Sequence, residues 1–435
     1  MIDMIGIGPF IVLPLVIKEM NGPQSMIAWV LGAMLALMDG FVWSELGAAM
    51  PGAGGSYIFL KEIYGVSSWG KLFSFLLIWQ TIFQAPLVIA SGAIGFSQYF
   101  TFLVPINVVD QKIISGLLVI IIVILLYRRI GTVGKISLFL WIGVISTILW
   151  LIFGGITHFN KQIAFDFPKG AFSFSFVFFA GLGSASVQTI YTYLGYYNIC
   201  NLGEELNEPQ KNIPRSIFIS IVGITLLYLA MQLSVLGVIP WREAMNSKFI
   251  VSSFVEKIYG SKAAIIATVL ILWIAFSSLF SAMLGYSRIP YAAAVDGTFF
   301  RVFSRVHPKK KFPTVSLLTL GAIAFIFSLL FRLKEVISAI LAMRILIQFV
   351  GQAAGILLLR KKKPAEFFPF KMWLYPLPAI IAIIMWLGLF FSTGFFFAAG
   401  GIIVILIGII VFLIRAKLKN DWPFKLIETE SHINR

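Results

Sequence analysis

The chain has 435 residues, 59% of them hydrophobic and only 12% charged, with 42 Phe and a mean hydropathy of +0.95. A soluble core of that length needs a polar skin, which this composition cannot supply, so the chain reads as an all-α integral membrane protein. The formal net charge of +16 would suit an anionic partner only if it were gathered on a soluble surface, and it is not.

Runs of about 20 apolar residues, enough to cross roughly 30 Å of hydrocarbon, predict twelve transmembrane helices. They cover 1–18, 26–50, 71–102, 112–127, 135–156, 172–203, 214–238, 263–287, 314–331, 335–359, 375–391 and 395–414. They form a single transmembrane domain over 1–414, followed by a short tail, 415–435. Met1 leads into the first span without the basic start of a signal peptide, so that span is expected to stay.

The first span opens on "IGIGPFIVLP", where Gly6, Gly8, Pro9 and Pro14 are among the poorest helix formers. The second carries Asp39 near its middle. An ionisable group at that depth costs several kcal/mol unless paired or hydrated. The third sets Gln80 and Gln84 on one face, with Ser91 further along it, as candidate substrate contacts or as partners in inter-helix hydrogen bonds. The sixth reads "YTYLGYYNICNLGEELNEP", in which Gly195 and Asn198 interrupt an aromatic run. The eighth holds Ser277, Ser278 and Ser281, and the tenth aligns Arg344, Gln348 and Gln352 as a polar stripe that faces protein or water. Two loops, Pro51–Gly70 and Ser287–Pro313, mix aromatics with charge and are expected to lie as short amphipathic helices against the bundle.

Lys and Arg concentrate in the tail and in the connections after the second, fourth, sixth, eighth and tenth spans. This positive-inside pattern predicts a cytoplasmic-membrane protein with both termini in the cytoplasm, and it makes "HPKKKF" a topology signal rather than a nucleic-acid site. The single cysteine, Cys200, excludes an internal disulfide, and His158, His307 and His432 fall in loops or the tail. Neither a zinc site nor a catalytic triad can then be assembled at membrane depth. "GVSSWGKL" has the Gly and Lys spacing of a phosphate loop, but Leu72 replaces the magnesium-binding Ser or Thr and no strand precedes it. No enzyme and no cofactor is expected.

If helices 1–5 and 6–10 are equivalent halves, about 1–156 and 172–359, both interruptions fall in the first helix of a half. That is the pattern of an inverted-repeat transporter with broken helices at a midplane site. A single break would be a packing kink, whereas two at matching positions favour a site. Freed amides at a helix N-terminus suit a carboxylate, and freed carbonyls suit an ammonium or a cation.

Four stretches carry a resemblance: "MIGIGPFIVLP", "WSELGAAMPGAGGSYIFLKEIYG", "YLGYYNICNLGEELNEPQKNIPRSI" and "SAMLGYSRIPYAAAVDGTFFRVFSRVHPKKKFP". Through them the whole chain resembles the amino acid, polyamine and organocation (APC) superfamily. "RILIQFVGQ" and "FKMWLYPLP" add a likeness to bacterial relatives of the L-type amino acid transporters. The resemblance implies a five-plus-five inverted repeat with helices 1 and 6 broken and two added C-terminal helices, working by alternating access. It implies that a substrate carboxylate meets amides of Gly6, Ile7 and Gly8, and that its amino group meets carbonyls of Tyr191, Thr192 and Tyr193. Tyr191 or Tyr196 would be the aromatic lid.

Three departures from the family pattern matter. Ile7 stands where many members have a serine, and Pro9 removes an amide. Only five residues precede Gly6, where members have a longer half-helix, so either the start is misassigned or this gate is shortened. Some proton-coupled members carry a lysine within helix 5, and here the span after Lys135 has none. Exchange, sodium coupling through Ser277 and Ser278, and protonation of Asp39 all stay open. Amino acids are the expected cargo, with a polyamine or other organic cation, balanced by Asp39, as the alternative. A membrane receptor would need an output domain, which the tail is too short to form. Oligomeric state is not readable.

Overall fold

The computed structural model describes residues 4, 6–52, 54–127, 133–310 and 312–424, without the side chains of 133–141, 202, 204 and 205. The start of the predicted first span, the side chain of Lys135 and the end of the predicted tail, with His432, lie outside the described residues. Among these, the architecture is helical, with one isolated bridge between Val306 and Pro313.

In chain order the helices are α1 (Gly8–Met20), α2 (Met26–Ala49), α3 (Ser56–Tyr64), α4 (Gly70–Leu103), α5 (Val108–Leu126), α6 (Val133–Thr157) and α7 (Lys161–Ala164). There follow α8 (Phe176–Tyr193), α9 (Pro209–Leu236), α10 (Trp241–Ala244), α11 (Ile250–Tyr259) and α12 (Ser261–Val295). The chain continues with α13 (Thr314–Leu330), α14 (Leu333–Arg344), α15 (Gly351–Lys362), α16 (Leu377–Ser392) and α17 (Phe395–Leu418). Among the described residues, seven helical stretches are long and apolar enough to cross a membrane, and three shorter apolar helices accompany them. The helices of the first and sixth predicted spans, α1 and α8, are not among these.

The first span, expected from residue 1, is helical from Gly8 among the described residues. Gly6 and Ile7 precede it as bends, and Pro9 falls in its first turn, where a missing N–H removes a donor that has no intrahelical partner anyway. Pro14 sits inside α1 and cannot donate to the carbonyl of Phe10; the Tyr99 hydroxyl donates to that oxygen instead, at 3.0 Å. The sixth span stops at Tyr193. Leu194 is extended, and Gly195 adopts φ 114°, a left-handed value that a side chain would strain. A 3-10 segment, Tyr196–Glu205, carries the chain onward. The tenth span, expected to be continuous, is α14 and α15 joined by a π-helical turn, Ile345–Val350.

Packing pairs the helices in a regular way. α4 packs chiefly against α12, α2 against α9, α1 against α8, and α5 against both α13 and α4. Glycines let α2 approach its neighbours: a Cβ at Gly40 would lie 2.7 Å from Ile221, and one at Gly32 would lie 3.0 Å from the Thr189 hydroxyl. The loop Pro51–Gly70 forms α3 and a π-helical turn, as expected of a short helix lying on the bundle. Ser287–Pro313 differs, because α12 runs on to Val295 before a 3-10 turn at Arg301–Ser304. The two segments meet where Tyr57 and Lys61 hydrogen-bond Asp296, the latter at 3.0 Å.

Candidate functional site

The start of α1 and the end of α8 meet. A Cβ on Gly8 would lie 3.3 Å from both the Tyr191 ring and the Thr192 side chain. The contact sets the positive end of one helix dipole, with its unpaired N–H groups, beside the negative end of another, with its unpaired carbonyls. One polar molecule carrying both an anionic and a cationic group fits that junction.

Around it, the predicted residues divide. Gly6 faces Ser278 of α12, its Cβ position 3.4 Å from the serine Oγ, so Ser278 does reach the first-helix break. Ser278 donates to Ala275 O and Ser277 to Trp273 O, back along their own helix. Among the described residues, no His, Cys, Asp and Glu cluster could hold a metal ion. Tyr191 keeps accessible surface and shares a 2.8 Å hydrogen bond with Ser91 of α4, which fixes its ring over the junction. Tyr193 points elsewhere: its ring is fully buried in edge contacts with Trp29 and Tyr228. Gln80 and Gln84 are buried. Both amide atoms of Gln80, and Nε2 of Gln84, lack a partner among the described residues.

The two intramembrane charges are not paired with each other. Adjacent tyrosines beyond the α8 break take one each: the Tyr196 hydroxyl donates to Asp39 at 2.5 Å, and Arg344 donates to the Tyr197 hydroxyl at 2.6 Å. Tyr196 is thereby committed to Asp39, leaving Tyr191 as the aromatic at the junction. The indoles of Trp43 and Trp386 stand beside the Asp39 carboxylate. Trp43 stacks on Tyr197 at 4.6 Å, Tyr197 meets Phe349 at 5.8 Å, and Phe349 stacks on Trp386 at 4.0 Å, a continuous aromatic column. Arg344 also donates to Gln348, which with Gln352 donates to Ser56 at the start of α3.

Sequence reasoning missed three contributors. The Tyr228 hydroxyl lies 2.8 Å from Met4 O and 3.3 Å from Thr192 O, linking the backbone on the two sides of the junction and engaging a carbonyl assigned to the substrate amino group. Tyr197 carries Arg344; the paired tyrosines after Gly195 were the available signal. Glu45, fully buried, forms a two-pronged ion pair with Arg360 at 2.5 and 2.9 Å and accepts the Met372 amide at 2.8 Å. It stands inside the "WSELG" stretch, and nothing in the sequence marks its distant partner.

Residues 1–415 match the amino acid permease family. The chain belongs to that family. Within the permeases it is similar to the serine/threonine exchanger SteT of Bacillus subtilis, 26% identical over 380 residues, covering 86% of this chain and 83% of the relative. The branched-chain amino acid permease BcaP of the same organism is 23% identical over 418 residues, covering 91% and 86% of the two chains. The Asc-type amino acid transporter 1 of Mus musculus is 27% identical over 439 residues, covering 95% and 78%. These relatives place the permease among amino acid transporters of the APC superfamily, in keeping with its membrane-spanning helices.

Proposed function

We propose that this permease is a secondary active transporter that moves amino acids across the cytoplasmic membrane by alternating access, as an exchanger or an ion-coupled symporter. The observation that carries the reading is the contact at Gly8, where the N-terminus of α1 meets the C-terminus of α8. A zwitterion satisfies both helix ends at once, its carboxylate on amides of the Gly6–Gly8 segment and its ammonium on carbonyls near Tyr191 and Tyr193.

The wider architecture of the proposal is twelve crossings, both termini cytoplasmic, and a five-plus-five inverted repeat. A pseudo-two-fold axis can bring mates five spans apart into contact. The packing of α1 with α8, α2 with α9, α4 with α12 and α5 with α13 supports it for four pairs, while α6 packs chiefly against α9 and α12. Two coupling routes fit the geometry: a sodium ion between Ser278 and the first-helix break, or a proton on Asp39. The relatives' names all concern amino acids, which supports amino acids over the polyamine alternative and a transporter over an enzyme.

Counterflow in proteoliposomes tests the reading. Vesicles loaded with an unlabelled amino acid are expected to accumulate the same labelled compound with no ion gradient. Silence across a panel of amino acids, from protein that elutes as a single folded species, would overturn it.

A further inference from the structure

Arg344 is a cation at membrane depth with only neutral partners. Its Nε donates to Gln348 at 2.7 Å and one terminal nitrogen to Tyr197 at 2.6 Å, while its face lies over the Tyr197 and Phe349 rings at 5.0 and 5.6 Å. Among the described residues no carboxylate pairs with it, and Nη2 makes no hydrogen bond. Asp39, the other intramembrane charge, is engaged by Tyr196. A guanidinium offers five N–H donors in a planar fork that matches a carboxylate, so a large part of its donor capacity is open. The residue is only partly buried.

Arg344 is tied to the chain just past the α8 break, because Tyr197, which it bonds, is the second residue after Gly195. On the other side of that break the Tyr191 ring lies against Gly8. The π-helical turn beginning at Ile345 supports the assignment, because such turns inside α-helices concentrate at functional sites. A charge held there without a counter-ion is costly, and a substrate that brings the counter-ion recovers the cost.

We propose that the substrates are amino acids with an acidic side chain, and that Arg344 receives the side-chain carboxylate. The inference rests on the permease reading above: the α-amino and α-carboxylate groups go to the helix ends, and Arg344 selects for the third charge. A polyamine or a lysine side chain would set like charge against it.

The test is counterflow by the purified full chain with labelled L-glutamate, L-aspartate, L-leucine and L-lysine. Glutamate or aspartate is expected to exchange and to compete with any neutral substrate. Arg344→Gln is expected to weaken the apparent affinity for the acidic substrate on the order of 10- to 100-fold, and Arg344→Lys to restore part of it. Exchange of leucine that neither acidic amino acid competes with would overturn the inference and leave the permease intact. So would equal loss of neutral and acidic exchange in Arg344→Gln protein that still elutes as folded. Should that variant not fold, competition in the unaltered protein decides. Exchange of no amino acid at all would remove the permease reading itself.

Discussion

Gly8 has room for little more than a hydrogen. An added Cβ would stand 3.3 Å from Tyr191 and Thr192, and the branched remainder of a leucine would enter the space where the helix ends face each other. Gly8→Leu is therefore expected to abolish counterflow at an overpacking cost of about 1–3 kcal/mol, with the elution profile unchanged; normal exchange would remove Gly8 from the site. Asp39→Asn keeps the size of the side chain that Tyr196 holds but removes its charge. If Asp39 is the coupling group, uptake driven by a pH or sodium gradient is lost while gradient-free exchange persists, and unchanged gradient-driven uptake refutes the role. Glu45→Gln leaves Arg360, whose side chain is 20% exposed, facing a neutral amide. Breaking such a buried pair costs about 3–5 kcal/mol, which a thermal melt in detergent would register, and a Glu45→Met/Arg360→Leu double variant should recover much of it. Asp39 and Arg344 were legible in the sequence because a charge in an apolar run must be paired, hydrated or functional. Their tyrosine partners were not, since tyrosines are common in membrane helices and only the path of the chain after Gly195 aims these two at the charges.

Helix boundaries were legible to within a few residues in α2, α5 and α13, whereas α12 runs on through Arg288 and Pro290 to Val295. The breaks in the first and sixth spans were legible through Gly6, Gly8, Pro9 and Gly195. The π-helical turn at Ile345–Val350 was not, because it holds neither Gly nor Pro and depends on what Arg344 and Gln348 reach across the bundle. The docking of α3 on the end of α12 also needed the structure. Although partial burial pushes the Asp296 carboxyl upward, hydrogen bonds from Tyr57 and Lys61 hold it below its ordinary range. A carboxyl lowered in the folded state adds stability that is present above about pH 4 and fades as the pH falls through its lowered value. Asp296→Asn is accordingly expected to cost no more than about 1 kcal/mol at neutral pH, given the 45% exposure of the side chain, and nothing in acid. A melting difference that persists in acid would show that the contact works through shape and not charge.

At the level of the whole chain, the apolar repeat and the charge asymmetry announced a membrane bundle, while the pairing of its helices needed coordinates. Under the proposed alternating access, the segment after the α8 break is expected to change its packing. Cys200, the only cysteine, lies in that segment, 1% exposed against Trp43 and Gly47. Maleimide labelling of the unaltered protein is expected to be slow in this conformation and to change in rate when substrate is added; a rate indifferent to substrate would argue that the segment stays fixed. The aromatic column that runs from Trp43 through Tyr197 and Phe349 to Trp386 has an optical consequence. Its two end indoles flank the Asp39 carboxylate, so ultraviolet emission from Trp43 and Trp386 should shift in wavelength and intensity as that group gains or loses charge. The permease thus carries two fluorophores beside its central acid, and Trp43→Phe and Trp386→Phe variants are expected to remove the part of a fluorimetric titration that the other tryptophans do not supply.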